Sequence, residues 1–377
     1  MPPIATKKTD NSVRSGQDGT QSPPRIGLVP FARAAKVHTE KGQTFSTVLS
    51  ANTQLQTHRI PVYGYIRNIH ILVTAVTAGN AANVAYNIDA PYNVIRDIFF
   101  RDANGTPIQK LSGYEMFLAN LFGGYRPFRM DNSTYQTLVS GSGATGGSFS
   151  FLLTIPVAFS RDGVGCLPNM DSSQQYAVDI TLGTLTDVYS VAPTAAPTVT
   201  TQIILEAFQN VPASDSAGNA NETQPPAMGT VQYWSKQTFS WAAAGGEQTL
   251  LLPRVGNYIR NHILVFRTGA GVRSDSVLPT DFITEWDSSQ LLNETVQSRR
   301  ILNYALFGYD NPVGVLVYNR TSDPEGLSVG EYGDQYLPTL GSTKLLYRFT
   351  PQAAGSIDIL TNDVYPNGNL FAAIMGK

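Results

Sequence analysis

YIRNIHILV at residues 65–73 returns, one residue shorter, as YIRNHILV at residues 258–265. The match does not stand alone. QTFS at 43–46 recurs at 237–240, a shift of 194, and LFG at 121–123 recurs at 306–308, a shift of 185. The YIRN and HILV words themselves are displaced by 193 and 192. One such coincidence in 377 residues carries little weight, but four in the same order at a slowly falling shift indicate a duplicated unit. The surroundings agree. Each copy opens with a strand ending in QTFS, continues through a polar Gln-Thr (Gln56-Thr57, Gln248-Thr249) and reaches the YIRN strand. Each then has an aromatic and acidic strand, IFFRD at 98–102 and ITEWD at 283–287, and closes on a helix ending at LFG. Arg67 and Arg260 hold equivalent places and read as arginines paired within their own copy. His70 and His262, aligned by HILV, read as satisfied core or interface histidines.

Working outward, the rest of the chain from Gln43 consists of short apolar or alternating runs such as SFSFLLTIPVAF (148–159), TQIILEAF (201–208) and SIDILTNDVY (356–365). They are rich in Val, Ile, Phe, Tyr and Thr, which suit a pleated, half-buried surface. Turn formers separate them, as in DANG at 102–105 and SGSGATGG at 140–147. Helical candidates are SGYEMFLANLF (112–122), where Ser112 and Glu115 have capping-box spacing, and ETVQSRRILNYALF (294–307). The fold class is therefore all-β: two tandem eight-stranded jelly-roll sandwiches, each with one inserted helix. The stretch 211–230 has linker composition. The expected organisation is an arm at 1–41, a first jelly roll at 42–211, a linker at 212–229 and a second jelly roll at 230–377.

Composition excludes several functions. Net charge is −2 and charged residues are 14%, so the surface as a whole is not built for nucleic acid. A single cysteine, Cys166, forbids an intrachain disulfide framework or a thiolate zinc cluster, and four scattered histidines do not make a cupin-type metal site. No apolar run reaches the roughly 18 residues of a membrane span, and Lys7 and Lys8 are followed by no apolar stretch. The expected product is soluble, unsecreted and made in a reducing compartment. SGSGATGG lacks the Gly-Lys-Ser/Thr of a phosphate loop and precedes a strand. No catalytic residue, metal or cofactor is predicted, and the chain is not read as an enzyme. One alternative is a carbohydrate-binding or glycan-cleaving β-sandwich, in which Glu285 and Asp287 share a strand face and Trp286 stacks on sugar.

The arm is the basic part. Residues 1–41 carry seven basic residues against three acidic ones, a net +4, leaving −6 on the body. Lys7, Lys8, Arg14, Arg25, Arg33 and Lys36 are the candidate contacts to an anionic surface, lipid headgroups or genome. Each basic residue contributes about 1 kcal/mol near an anionic bilayer, so the arm is a weak tether that needs many copies. PFARAAKV (30–37) is compatible with about two helical turns, too short to fold alone.

The duplicated sandwich, the length, the run PYNVIRDIFFRDANG (91–105) and the helix that follows it resemble the double jelly-roll major capsid proteins of tailless, membrane-containing double-stranded DNA phages, the tectivirus-like group. The resemblance implies a homotrimer that forms a pseudo-hexagonal block of six sandwiches and tiles the facets of an icosahedral virion. It implies as partners neighbouring capsid trimers, vertex and minor capsid proteins, and internal membrane lipid or genome through the arm. It also implies assembly in the host cytoplasm and location in the virion capsid.

Overall fold

The computed structural model describes residues 28–365, apart from 78–79, 124–136, 159–162, 230–231, 253–255, 288, 309, 321–335 and 340. After a four-residue helix α1 (Phe31–Ala34), the first sandwich is built from β1 (Val37–Val48), the short β2 (Thr53–Gln54) and β3 (His58–Arg59), β4 (Tyr65–Val76), β5 (Ile95–Arg101), β6 (Pro107–Leu111), α2 (Gly113–Phe122), β7 (Phe149–Pro156), β8 (Ala177–Leu182) and β9 (Thr198–Phe208). The second is built from β10 (Gln232–Trp241), β11 (Gln248–Leu252), β12 (Tyr258–Thr268), β13 (Asp281–Trp286), β14 (Ser289–Thr295), α3 (Val296–Phe307), β15 (Val315–Asn319), β16 (Leu345–Phe349) and β17 (Gly355–Val364).

The first sandwich pairs β1-β9-β4-β7 in one sheet and β2-β8-β5-β6 in the other, with β3 also on β8. The second pairs β10-β17-β12-β15 and β11-β16-β13-β14. Numbered within each copy, and counting β2 and β3 as one strand, both have the order 1-8-3-6 over 2-7-4-5, the jelly-roll topology, with the helix between the fifth and sixth strands. The expected double jelly roll is the fold found. Its two cores are filled by alternate residues of facing strands, such as Ile69, Ile71, Val73 and Phe151 in the first and Leu264, Phe266, Phe282 and Phe349 in the second.

Register shows which repeated words are true equivalents. In β4 the ladder runs from Ile66↔Ala207 to Asn68↔Glu206, stepping over Arg67. In β12 it runs from Ile259↔Asp363 to Asn261↔Asn362, stepping over Arg260. The two arginines occupy the same bulge, which fixes the shift at 193. QTFS also matches in register, because Phe45 and Phe239 lie opposite the equivalent residues Thr201 and Ile357. HILV does not. Ile69 holds in the first copy the place that His262 holds in the second, and His70 the place of Ile263, so the two histidines face opposite sides of their sheets. One residue of slip reverses every side chain. His262 points into the second core, where its Nδ1 meets the Tyr347 hydroxyl, while His70 points outward to Thr154 and Glu206.

The helices start in register and end out of it. Ser112 and Thr295 are the N-caps, and the capping box of Ser112 and Glu115 is formed. The buried Asn120 and Asn303 each donate to the sixth strand of their own sandwich, at Thr154 and Val317. Those carbonyls are equivalent, since Thr154 pairs with His70 and Val317 with Ile263. The helix shift is therefore 183, and α3 is two residues longer, which displaces its LFG. Gly308 ends α3 in the left-handed region (φ 73°), whereas Gly123 has φ −90° and is small for another reason: a Cβ there would run into the Ala119 carbonyl oxygen and lie 3.0 Å from the Trp234 ring.

Composition ends the arm at Lys41, but β1 already starts at Val37. Val37, His38 and Thr39 pair with Phe208, Ala207 and Glu206, and His38 stacks on Tyr63 with ring centroids 4.1 Å apart. The charges that gave this stretch its arm-like look sit on a sheet edge, where they are tolerated.

Candidate functional site

A dense polar construction lies where the first sandwich meets the outer face of the second. Alternation along β10 and β12 sends Trp234, Lys236, Ile263, Val265 and Arg267 to that face. Ile263, Val265, Val317 and Leu360 are at most 1% exposed and belong to one continuous core with the first sandwich. Around this apolar centre stand charges. Asp89 of the first sandwich takes Arg267 at 2.7 Å and also Arg273, whose guanidinium lies 4.5 Å from the Tyr114 ring centroid. Lys236 reaches Glu115, the capping residue of α2, and lies 3.7 Å from Asp358, which also accepts from Arg267 at 3.1 Å. Burial opposes the charge on Arg267, but Asp89 and Asp358 outweigh it and hold the guanidinium above its ordinary pKa. Lys236 is likewise raised, because Glu115 and Asp358 overcome its desolvation.

Arg260 is fully buried and donates to the Gly123 carbonyl at the end of α2 (3.1 Å) and to Asn362 (3.4 Å). A cation on the last carbonyls of a helix is favoured by the helix dipole. Its counterpart Arg67 stays within its own copy, bonded to Glu206 at 2.8 Å, as the sequence predicts. Burial raises the pKa of Glu206, but bonds from His70, Asn68 and Arg67 outweigh it and bring the carboxyl down to about 2. Phe122 and Phe307, the aromatic residues of the two LFG words, meet edge to face at 5.2 Å. The arrangement ties the two sandwiches together. Sequence reading missed Asp89, Lys236, Arg267 and Arg273 and took Glu115 as a cap alone; their one signal was a Lys and an Arg at outward positions of strands in a chain poor in charge.

Of the basic candidates, Lys7, Lys8, Arg14 and Arg25 lie outside the described residues. Arg33 and Lys36 are exposed. The segment carrying them is anchored: the Phe31 ring packs against Tyr65 and Phe208 at 5.5 and 5.4 Å, its N–H donates to Glu222 at 3.0 Å, and Val29 pairs with Asn221. α1 is one turn rather than the two that the sequence is compatible with.

The paired-carboxylate reading is corrected. Glu285 is bonded to Arg348, which also holds Glu247 at 3.2 Å. Asp287 is not on the strand face: it lies past the end of β13 at φ 52° and closes a turn, accepting from the Thr343 N–H and hydroxyl at 2.8 and 2.9 Å and the Lys344 N–H at 3.1 Å. These donors, Thr343 first, hold its carboxyl below the ordinary range. Trp286 is half-buried against the second core. Cys166 is completely buried, and burial pushes its thiol pKa up, away from the reactive thiolate. Among the described residues no group of three His, Cys, Asp or Glu is placed to hold a metal ion.

No family model and no curated protein matches the chain. Solved structures do. A chain of Sulfolobus Turreted Icosahedral Virus aligns at 14% identity with a TM-score of 0.63, covering 90% of this chain and 96% of that one. The PBCV-1 virus capsid aligns at 11% identity and 0.59, covering 88% and 95%. The major capsid protein P2 from Bacteriophage PM2 aligns at 9% identity and 0.53, covering 89% and 99%. At these identities the likeness concerns the fold, and it runs through both sandwiches.

Proposed function

We propose that the chain is the major capsid subunit of an icosahedral virus, a structural rather than catalytic protein that acts by assembling. One observation carries the reading: the same eight-strand order with the same helix insertion occurs twice in one chain, and viral capsid chains share that double fold over nearly their whole length. On this reading three copies form a pseudo-hexagonal block that tiles a facet of the virion. An obligate interface of this kind buries roughly 2,000 Å² or more, while contacts between blocks are smaller and gain strength from repetition. The partners are two further copies, neighbouring trimers, and vertex and minor capsid proteins. Assembly takes place in the host cytoplasm.

The division of labour follows the expected domains with the first boundary moved to the start of β1: an arm before Val37, sandwiches to residue 211 and from residue 230, and a linker at 212–229. Arg33 and Lys36 are exposed beside the anchored Phe31, which supports an arm leaving the first sandwich toward an anionic layer, internal lipid or genome. With Lys7, Lys8, Arg14 and Arg25 it supplies a salt-sensitive tether. The test has two parts. Light scattering on dilution should give the mass of three 40.8-kDa chains, and a stable monomer would reject the reading. Deleting residues 1–27 should leave the chain trimeric and weaken sedimentation with anionic vesicles at low salt, Arg33 and Lys36 remaining. Unchanged sedimentation would remove the tether.

A further inference from the structure

We infer that the bare face of α3 is the docking surface for the first sandwich of a second copy of this chain. The inference rests on the assembly reading above and assigns it residues.

The two helices are the same element in two copies, yet they differ in burial. In α2 nine of ten residues are buried; in α3 only Val296, Asn303 and Phe307 of twelve are. With the helices aligned through their N-caps and buried asparagines, Leu118 and Ala119, each 0% exposed, correspond to Ile301 and Leu302, which are 61% and 54% exposed. Leu121, packed on the first core, corresponds to Tyr304 at 53%. Three large apolar side chains on one solvent-facing helix form a patch rather than scattered exposure.

The sheets show the complementary asymmetry. In the second sandwich the outer face of β12, β15 and β17 is sealed by the first. In the first, the equivalent positions Leu72, Leu152 and Ile204 remain half-buried, and Val48 and Val76, which flank Thr198 on the same face, are 51% and 65% exposed. Each chain thus has a helix without its sheet and a sheet without its helix. The chain's own junction shows how the two fit: helix of one sandwich against outer sheet of the next. Arg67 also stands where Arg260 stands, and Arg260 caps the C-terminus of α2, so Arg67 is placed to face the C-terminus of α3 from a neighbouring copy. Such a contact is heterologous, with different patches on the two partners, and closes into a ring when the turn per sandwich allows it.

The experiment uses two full-length variants. Ile301→Asp with Tyr304→Asp disables the helix patch; Val48→Asp with Val76→Asp disables the sheet patch. All four positions are exposed, and far-UV circular dichroism should be unchanged. Light scattering should give a trimer for the unaltered chain and a monomer for each variant alone. An equimolar mixture should give a dimer, because one intact helix then meets one intact sheet. Variants that stay trimeric at the dilution used for the unaltered chain, or a mixture that stays monomeric, would overturn the inference while leaving the capsid reading in place. An unaltered chain that is itself monomeric would instead defeat the capsid reading.

Discussion

Acid should loosen this protein through two histidines that have no room for a proton. His58 is completely buried, with Nε2 at 3.1 Å from the Thr201 hydroxyl, and burial lowers its pKa to about 4. His262 is 1% exposed and bonded to Tyr347; burial, and then the nearby Arg320, lower it to about 3. The unfolded chain takes up these protons near pH 6.5, so the stabilisation is whole above that value and is lost as pH falls toward the folded values. Between pH 7 and 4.5 each histidine costs about 2.5 kcal/mol, at 1.36 kcal/mol per pH unit, and the pair about 5. That is a large part of the roughly 5–15 kcal/mol that holds a domain folded. Equilibrium urea unfolding followed by tryptophan fluorescence, at fixed protein concentration across this range, reads the loss directly. His262→Phe should lower stability at pH 7 by about 1–3 kcal/mol, because the Tyr347 hydroxyl loses its partner, and should halve the dependence on pH. An unfolding midpoint that does not move between pH 7 and 4.5, or a His262→Phe chain with an unaltered slope, would refute the reasoning.

Other outcomes follow from the same geometry. Asp89→Asn leaves Arg267 with Asp358 alone and takes the carboxylate from the buried Arg273, and should cost about 3–5 kcal/mol, whereas Glu285→Gln, whose partner Arg348 keeps Glu247, should cost under about 1 kcal/mol; both are read by urea unfolding. Gly123→Val drives side-chain atoms into the Ala119 carbonyl oxygen and toward Trp234 and should destabilise by about 1–3 kcal/mol, seen as a lower thermal midpoint. Glu206, held near 2 by His70, Asn68 and Arg67, adds stability above its ordinary value of 4.5 that is lost as pH falls toward 2; Glu206→Gln should remove that acid limb from the stability profile. The sugar reading predicts glycan affinity lost on Trp286→Ala, while a half-buried Trp286 packed on the core predicts lower stability and no change on a glycan array.

The fold was legible because its signals are local. Strand runs announce themselves by composition, the capping box at Ser112 and Glu115 marks a helix start, and QTFS and YIRN retain true register across the duplication. HILV misled because letters do not record register: the word begins one residue later after YIRN in the first copy, which keeps its letters and reverses its faces. The junction was illegible for a different reason. Asp89 and Arg267 are 178 residues apart, and nothing near either one announces the other. Glu285 and Asp287 looked like a pair only if the strand continued, and it ends at Trp286. The bare face of α3 is hidden in sequence because ILNYALF offers apolar residues to more than one side, and only packing shows which side is covered.

The central claim is that one duplicated chain supplies two of six equivalent modules. Electron microscopy of the purified chain in negative stain measures this most directly. Class averages should show six lobes related by a threefold axis, with alternate lobes alike. Particles of two lobes only, or of twofold symmetry, would contradict it.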